Sequence, residues 1–315
     1  MAKKLLLFTD PGIDDSFAII YALLHPDIDL AGLVIDYGNV SQKEALANAA
    51  YLLKLANKED IPLIEGAKCP MTGNLPQYAH DIHGTEGIGP IKTNHIQPKR
   101  VYPFQKIYEL ISEYGKELSI INTSPLTSLA FTYLYSASNI KQINETLIMG
   151  GAFLFPGNVS LVAEANIYSD PQAAKIVSTY GDSLTFLPLN ITYHAIIPRK
   201  MIHQIANQNK NPFASIMKPA MDFYSDKYKH IIPGITGAPL HDVSILSYFT
   251  NPELFKGTKR QVFIVSDGIA KGQSIADFRP EPKVKSGHPV HRILLKFNYQ
   301  GFLNNFYKVM LNSMH

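Results

Sequence analysis

Hydrophobic and polar positions follow two alternating rhythms along this chain. Leu5-Leu6-Leu7-Phe8 is a short unbroken apolar run, and beyond it apolar residues recur at helical spacing as far as Leu24. The first pattern predicts a buried strand at about 4 to 9 and the second a helix at about 14 to 24. The pair repeats as a strand at about 29 to 36 and a helix at about 41 to 57. It resumes with Leu118 to Asn122 as a strand, Pro125 to Tyr135 as a helix and Thr146 to Met149 as a strand ending in Gly150-Gly151. A helix from Pro171 to Tyr180 and a strand from Leu184 to Leu187 follow. Strands alternating with helices imply an α/β fold, a mostly parallel central sheet flanked by helices. Pro11-Gly12 turns the chain out of the first strand, which leaves Asp10 at the strand's carboxyl edge. Ligands of open α/β sheets bind along that edge.

Two stretches break the rhythm. Gly66 to Pro98 is rich in Gly, Pro, His and Asn, and reads as a long loop near the site, because long irregular loops within compact domains are commonly functional. Asn207 to Pro239 mixes helical spacing with Tyr224, Tyr228, His230 and a Gly-Pro-rich turn, and reads as a second lid. No repeat, low-complexity tract or linker divides the chain, so residues 1–315 are expected to form a single domain.

Composition narrows the function classes. The 315 residues are 46% hydrophobic and 17% charged, an ordinary globular balance. A net charge of +3 from scattered basic residues lacks the footprint of a nucleic-acid partner. The single cysteine, Cys69, rules out an intrachain disulfide and a cysteine-based metal site, and fits a cytoplasmic protein. The first apolar run is cut by Thr9-Asp10, short of a signal peptide, and no stretch is long enough to span a membrane.

Asp10, Asp14 and Asp15 crowd the end of the first strand. Two like charges roughly 4 Å apart repel by about 4 kcal/mol at an effective dielectric of about 20, and no Arg or Lys follows Lys4 nearby. The cluster therefore calls for proton uptake or a hard divalent cation, which takes oxygen ligands. The plainer alternative places Asp14 and Asp15 in the first turn of a helix, where the dipole favours acids. Strand alternation puts Phe8 on the Asp10 side and Thr9 opposite. The Thr123 carbonyl, closing another strand, and Asp242, opening a later helical segment, could complete an oxygen cage.

These residues carry a resemblance. Asp10-Pro11-Gly12-Ile13-Asp14-Asp15, Gly38-Asn39, Thr123-Ser124-Pro125-Leu126-Thr127, Met149-Gly150-Gly151, Gly157-Asn158-Val159, Glu164-Ala165-Asn166 and His241-Asp242 resemble, in order and over nearly the whole chain, the inosine-uridine preferring nucleoside hydrolase family. The resemblance implies a Rossmann-type open sheet and calcium-dependent hydrolysis of the N-glycosidic bond of ribonucleosides, releasing base and ribose. It also implies a cytoplasmic role in nucleoside salvage as a homodimer or homotetramer. Asp10, Asp15, Asp242 and the Thr123 carbonyl would hold Ca²⁺. Asp14, Asn39, Met149 and Asn166 would meet the substrate, with Asn158 and Glu164 near its 5′-hydroxyl.

The chemistry asks for the same residue types. Release of a base from ribose passes through an oxocarbenium-like sugar and needs water on one face and a proton donor at the leaving nitrogen. A metal lowers the pKa of its water, and Asp10 would take the proton. His241 is the natural acid if it titrates near neutrality. His83 is a weaker base or ribose contact, and Tyr224 and Tyr228, one helical turn apart, either meet the base or pack in the core.

The family usually carries aspartate where this chain has Phe8. Loss of that acceptor motivates a second reading, a weakly active or non-catalytic ribosyl-ligand-binding protein on the same scaffold, and Phe8→Asp would then be expected to tighten Ca²⁺ binding or speed hydrolysis. Ala165 stands where an aromatic is common, and Asn190 where an aspartate is common. A phosphotransferase of the haloacid dehalogenase type needs Asp two residues before an acid, which neither Phe8 before Asp10 nor Asp10 before Gly12 provides.

Overall fold

The computed structural model describes residues 2–135, 140–208 and 211–313. Leu5 to Phe8 have no solvent exposure, as expected of a strand covered on both faces. That strand, β1 (Lys3–Thr9), lies near the middle of a nine-stranded sheet. Its other members are β2 (Ile28–Ile35), β3 (Leu63–Glu65), β4 (Val101–Tyr102), β5 (Leu118–Asn122), β6 (Glu145–Met149), β7 (Thr185–Leu187), β8 (Phe255–Gln261) and β9 (Val290–Phe297). Their order is β8-β9-β7-β6-β5-β1-β2-β3-β4. All neighbours pair in parallel except β8, which runs antiparallel to β9 at one edge.

From β1 the chain builds outward through β2, β3 and β4, then returns to β5 on the other side. The strand order reverses between β1 and β5, and the crevice at such a switch point is where doubly wound sheets bind ligands. Here it opens between Asp10 and Thr123.

Alternating side chains divide the core into two layers. Leu5, Leu7, Leu33 and Ile121 pack with Phe17, Tyr224 and Leu246 on one face. Leu6, Phe8, Val34, Ile120 and Ile148 pack with Ile107, Leu129 and Val177 on the other. Each fully buried side chain of this size stabilises the fold by about 1.5 to 3 kcal/mol.

The predicted helix at 41 to 57 spans Gln42–Leu55, started by a capping box in which Ser41 and Glu44 satisfy each other's backbone N–H groups. The helix expected from Pro125 begins at Thr127. Asn207 to Pro239 is not a lid: it contains an 18-residue helix, Ala214–Ile231, whose Met217, Met221, Tyr224 and Tyr228 are buried. Gly66 to Pro98 is mostly irregular apart from the short helix His80–His83. Buried carboxylates tie it down, Asp36 accepting from Ala67 N (2.8 Å), Asp170 from Met71 N (2.8 Å) and Glu86 from Thr93 N (2.7 Å). Among the described residues no helix is long and apolar enough to cross a membrane.

Candidate active site

The acids meet at the switch point. Ligand oxygens of Asp14, Asp15 and Asp242 lie within 4.8 Å of one another, all three buried. Asp14 and Asp15 arrive on the first turn of the helix Ile13–Leu24, and Asp242 on the first turn of His241–Thr250. Asp15 is also a helix-start acid, accepting from Gly12 N at 3.2 Å. Its carboxylate further accepts from Thr9 Oγ1 (2.7 Å), Asn39 Nδ2 (2.8 Å) and Thr123 Oγ1 (3.1 Å). The capping and cluster readings of this residue are thus both realised.

Asp10 Oδ2 accepts from Asn39 N at 2.6 Å, and only glycine allows that approach, because a Cβ on Gly38 would lie 2.0 Å from the same oxygen. Asp10 Oδ1 and Asp14 Oδ1 are buried without a hydrogen-bond partner. A buried carboxylate oxygen left unpaired is costly, so these two mark where a cation fits. Burial first, and then the neighbouring negative charges, push Asp10 and Asp242 well above the usual carboxylate range and Asp14 up to about 7. Burial raises Asp15 as well, against its many donors. Protons or a cation must neutralise this group.

His83 is held opposite. Its Nδ1 accepts from Ile13 N at 3.0 Å and lies 3.8 Å from Asp14 Oδ1, and burial, then His241 and His80, lower it to about 3. The ring is therefore neutral at physiological pH, with its proton on Nε2. Its centroid is 5.5 Å from that of Tyr224, and Tyr224 and Tyr228 meet edge to face at 4.9 Å. Tyr224 is also among the side chains that act on the Asp14 carboxyl, opposing its upward shift. The two tyrosines accordingly serve the core and face the acids together. His241 Nε2 pairs with the Tyr228 hydroxyl at 3.0 Å and its Nδ1 with Thr192 Oγ1 at 2.8 Å. The expectation that His241 titrates near neutrality is corrected: burial lowers it to about 4. The free imidazole is neutral at pH 7.

On the β5–β6 side, Asn166 Nδ2 donates to the carbonyls of Thr123 (2.9 Å) and Met149 (3.2 Å). Glu164 caps the helix Ala165–Ser169 by accepting from Asn166 N and Ile167 N, reaches Gly151 N at 3.1 Å, and is pushed up to about 7 by burial. Asn158 lies on an exposed loop, its Oδ1 accepting from Ala165 N beside Glu164. Asn190 grips the backbone of Phe153 from both sides, accepting from its N at 3.1 Å and donating to its O at 2.7 Å; a carboxylate could only accept there.

Phe8 is packed among apolar side chains, and it is the Thr9 hydroxyl that reaches Asp15. Phe8 is fully buried in the apolar layer with Leu6 and Val34. Phe8→Asp is therefore expected to destabilise the protein by about 3 to 5 kcal/mol from lost packing, plus a charge-burial cost, with no gain in metal affinity. Chemical denaturation and a Ca²⁺ titration check this; a variant of parental stability with tighter metal binding would contradict it.

Thr9 and Thr192 were not legible as site residues. Strand alternation points Thr9 away from Asp10, although its hydroxyl meets Asp15, and nothing in the sequence links Thr192 to a histidine 49 positions away.

The model of a family described as inosine-uridine preferring nucleoside hydrolase matches residues 5–304. Uridine nucleosidase 1 of Arabidopsis thaliana is 34% identical over 277 residues, covering 87% of this chain and 82% of that one. A pyrimidine-specific ribonucleoside hydrolase, RihA, of Shewanella sp. (strain ANA-3) is 32% identical over 308 residues, covering 96% and 95%. Among solved structures, the plant nucleoside hydrolase PpNRh1 superposes with a TM-score of 0.91 at 29% identity, covering 99% of each chain.

Proposed function

The chain belongs to the inosine-uridine preferring nucleoside hydrolase family, and we propose that it acts as a calcium-dependent N-ribosyl hydrolase with uridine and related pyrimidine ribonucleosides as preferred substrates. The reaction releases free base and ribose. The preference rests on the uridine nucleosidase and pyrimidine-specific relatives. The observation that carries the metal is the cluster of buried carboxylates of Asp14, Asp15 and Asp242, together with the unpartnered buried oxygens Asp10 Oδ1 and Asp14 Oδ1.

Asp10, Asp15, Asp242 and the Thr123 carbonyl would hold the ion, with Asp14 at its edge. Calcium supplies a Lewis-acidic centre that orients water and makes it easier to deprotonate. Asp10, one of whose carboxylate oxygens is fixed by Asn39 N, would serve as the acceptor for a proton from water. Asp14, Asn39, Met149 and Asn166 surround the ribose, and Glu164 and Asn158 lie toward its 5′-hydroxyl. Opposite, the hydroxyl of Tyr228, backed by His241, delivers a proton to the departing base, while His83 presents an N–H to a base carbonyl. The same reading takes residues 1–315 as one domain of a cytoplasmic homo-oligomer in nucleoside salvage. A ribosyl-binding protein without activity, the reading that Phe8 motivates, is separated from the hydrolase by base release.

The test is base release from uridine, cytidine, inosine and adenosine by the purified protein with Ca²⁺. Uridine is expected to turn over fastest. No release from any of them overturns the function, and purine nucleosides turning over fastest overturns the preference.

A further inference from the structure

We propose that Asn48 is a positioning residue for the hydrolysis, its buried amide locking the acid-bearing turn at 10–13 to the loop that carries His83. The inference rests on the functional reading above and concerns a residue outside the motifs that carry the resemblance.

Asn48 lies on the inner face of the helix Gln42–Leu55, one turn from Ala45 and from Leu52, and like them it has no solvent exposure. Helical spacing gives such a position to an apolar side chain. A buried amide is tolerated there when its hydrogen bonds are made, and Asn48 makes them to three separate stretches of chain. Its Nδ2 donates to Pro11 O at 2.8 Å and to Glu86 O at 2.7 Å, and its Oδ1 accepts from Thr93 Oγ1. A primary amide brings two N–H donors and an acceptor to one point. A carboxylate or an aliphatic group in its place would leave both carbonyls unpaired.

The backbone closes tightly on this amide. Gly87 has a φ of +95°, and a Cβ on it would lie 2.6 Å from Asn48 Nδ2 and 3.0 Å from Pro11 O, so the close approach requires glycine. The Glu86 carboxylate folds the same loop back on itself, accepting from Thr93 N at 2.7 Å and Asn94 N at 2.9 Å. On the side of the site, a Cβ on Gly12 would lie 2.5 Å from His83 Nδ1, and Ile13 N donates to that nitrogen at 3.0 Å. Turn and loop are therefore joined within the site by the Ile13–His83 hydrogen bond and behind it by the Asn48 amide. A nucleoside whose ribose meets Asp14 and whose base meets His83 spans both pieces, so their spacing sets the fit.

Asn48→Leu keeps the approximate volume and removes both donors. Thr93→Val removes the hydroxyl on the other side of the amide and leaves both donors in place. For uridine, kcat/KM is expected to fall about 10²-fold in Asn48→Leu, the cost of displacing reacting groups by about 1 Å, with KM rising as the base contact loosens. Thr93→Val also loses a buried hydrogen bond, so its melting temperature should fall while kcat and KM stay parental. Parental kinetics in Asn48→Leu, or an equal loss in Thr93→Val, overturns the proposal. If Asn48→Leu fails to fold, Gly87→Ala keeps the amide and drives a methyl group into the same contact; KM for uridine should rise, and an unchanged KM overturns the proposal. A second readout needs no activity. The Ile13 amide should exchange its hydrogen faster in Asn48→Leu and at the parental rate in Thr93→Val, with the Ser16 amide, bonded to Gly12 O, as internal reference. Unchanged Ile13 exchange in Asn48→Leu overturns the positioning role, whereas a parental protein that releases no base overturns the functional reading and leaves this exchange to decide whether Asn48 holds turn and loop together.

Discussion

Replacing His241 by alanine is expected to slow uridine and inosine hydrolysis by about 10²- to 10⁴-fold, the usual contribution of a positioned proton donor. The loss should fall on kcat and spare nitrophenyl riboside, because a nitrophenolate leaves without help and a nucleobase nitrogen does not. Geometry supports the split: both ring nitrogens of His241 are taken by hydroxyls, of Tyr228 and Thr192, and neither by a carboxylate. The substitution also strands two buried hydroxyls, on Thr192 and Tyr228, at about 1 to 3 kcal/mol each. A melting curve separates that structural cost from the kinetic one. Steady-state kinetics on the two leaving-group classes is the check; equal losses on both would assign His241 to architecture.

Stripping the protein of divalent cations is the second large effect. Activity should fall by about 10²-fold or more, since Lewis-acid assistance is worth several kcal/mol and each 1.36 kcal/mol is a factor of ten. Added Ca²⁺ should restore it. Stability should respond too, by about 2.7 kcal/mol when free ion is at 100 times its Kd. The pH dependence has a definite sign. The folded pKa values of Asp10, Asp14, Asp15 and Asp242 lie above their ordinary range. In the stripped protein their contribution is present below the unfolded value of about 4. It is lost as pH rises through the folded values, about 7 for Asp14. Bound cation replaces those protons and binds better as they leave. The melting-temperature gap between loaded and stripped protein should therefore widen from pH 5 to pH 8, as measured by calorimetry with chelator or Ca²⁺. An absent gap, or one that narrows with pH, would contradict the metal assignment.

The acid cluster was legible because three of its members lie within six residues of a strand, a turn and a helix start, and that local pattern sets the carboxyl edge without knowledge of the rest. Asp242 became visible through its motif with His241. Other features depended on tertiary packing. Strand alternation points Thr9 away from Asp10, yet its hydroxyl meets Asp15, which arrives on the following helix. Tyr224 and Tyr228 have the spacing of core residues and are core residues, yet the same buried helix face meets His83 and His241. The depressed titration of His241 follows from burial that no single segment reveals. The edge strand β8 was missed because Lys256, Thr258, Lys259 and Arg260 give it the look of surface loop; charged residues are also how an exposed edge avoids pairing with other chains.

The central claim is that water, placed by a cation on the Asp10 cluster, is the group that replaces the base. Uridine hydrolysed in ¹⁸O-enriched water with Ca²⁺ should give ribose carrying one label at its anomeric oxygen and unlabelled uracil, with both products lost on adding chelator. Uridine that remains intact under these conditions, or is cleaved equally fast with chelator present, would contradict the account.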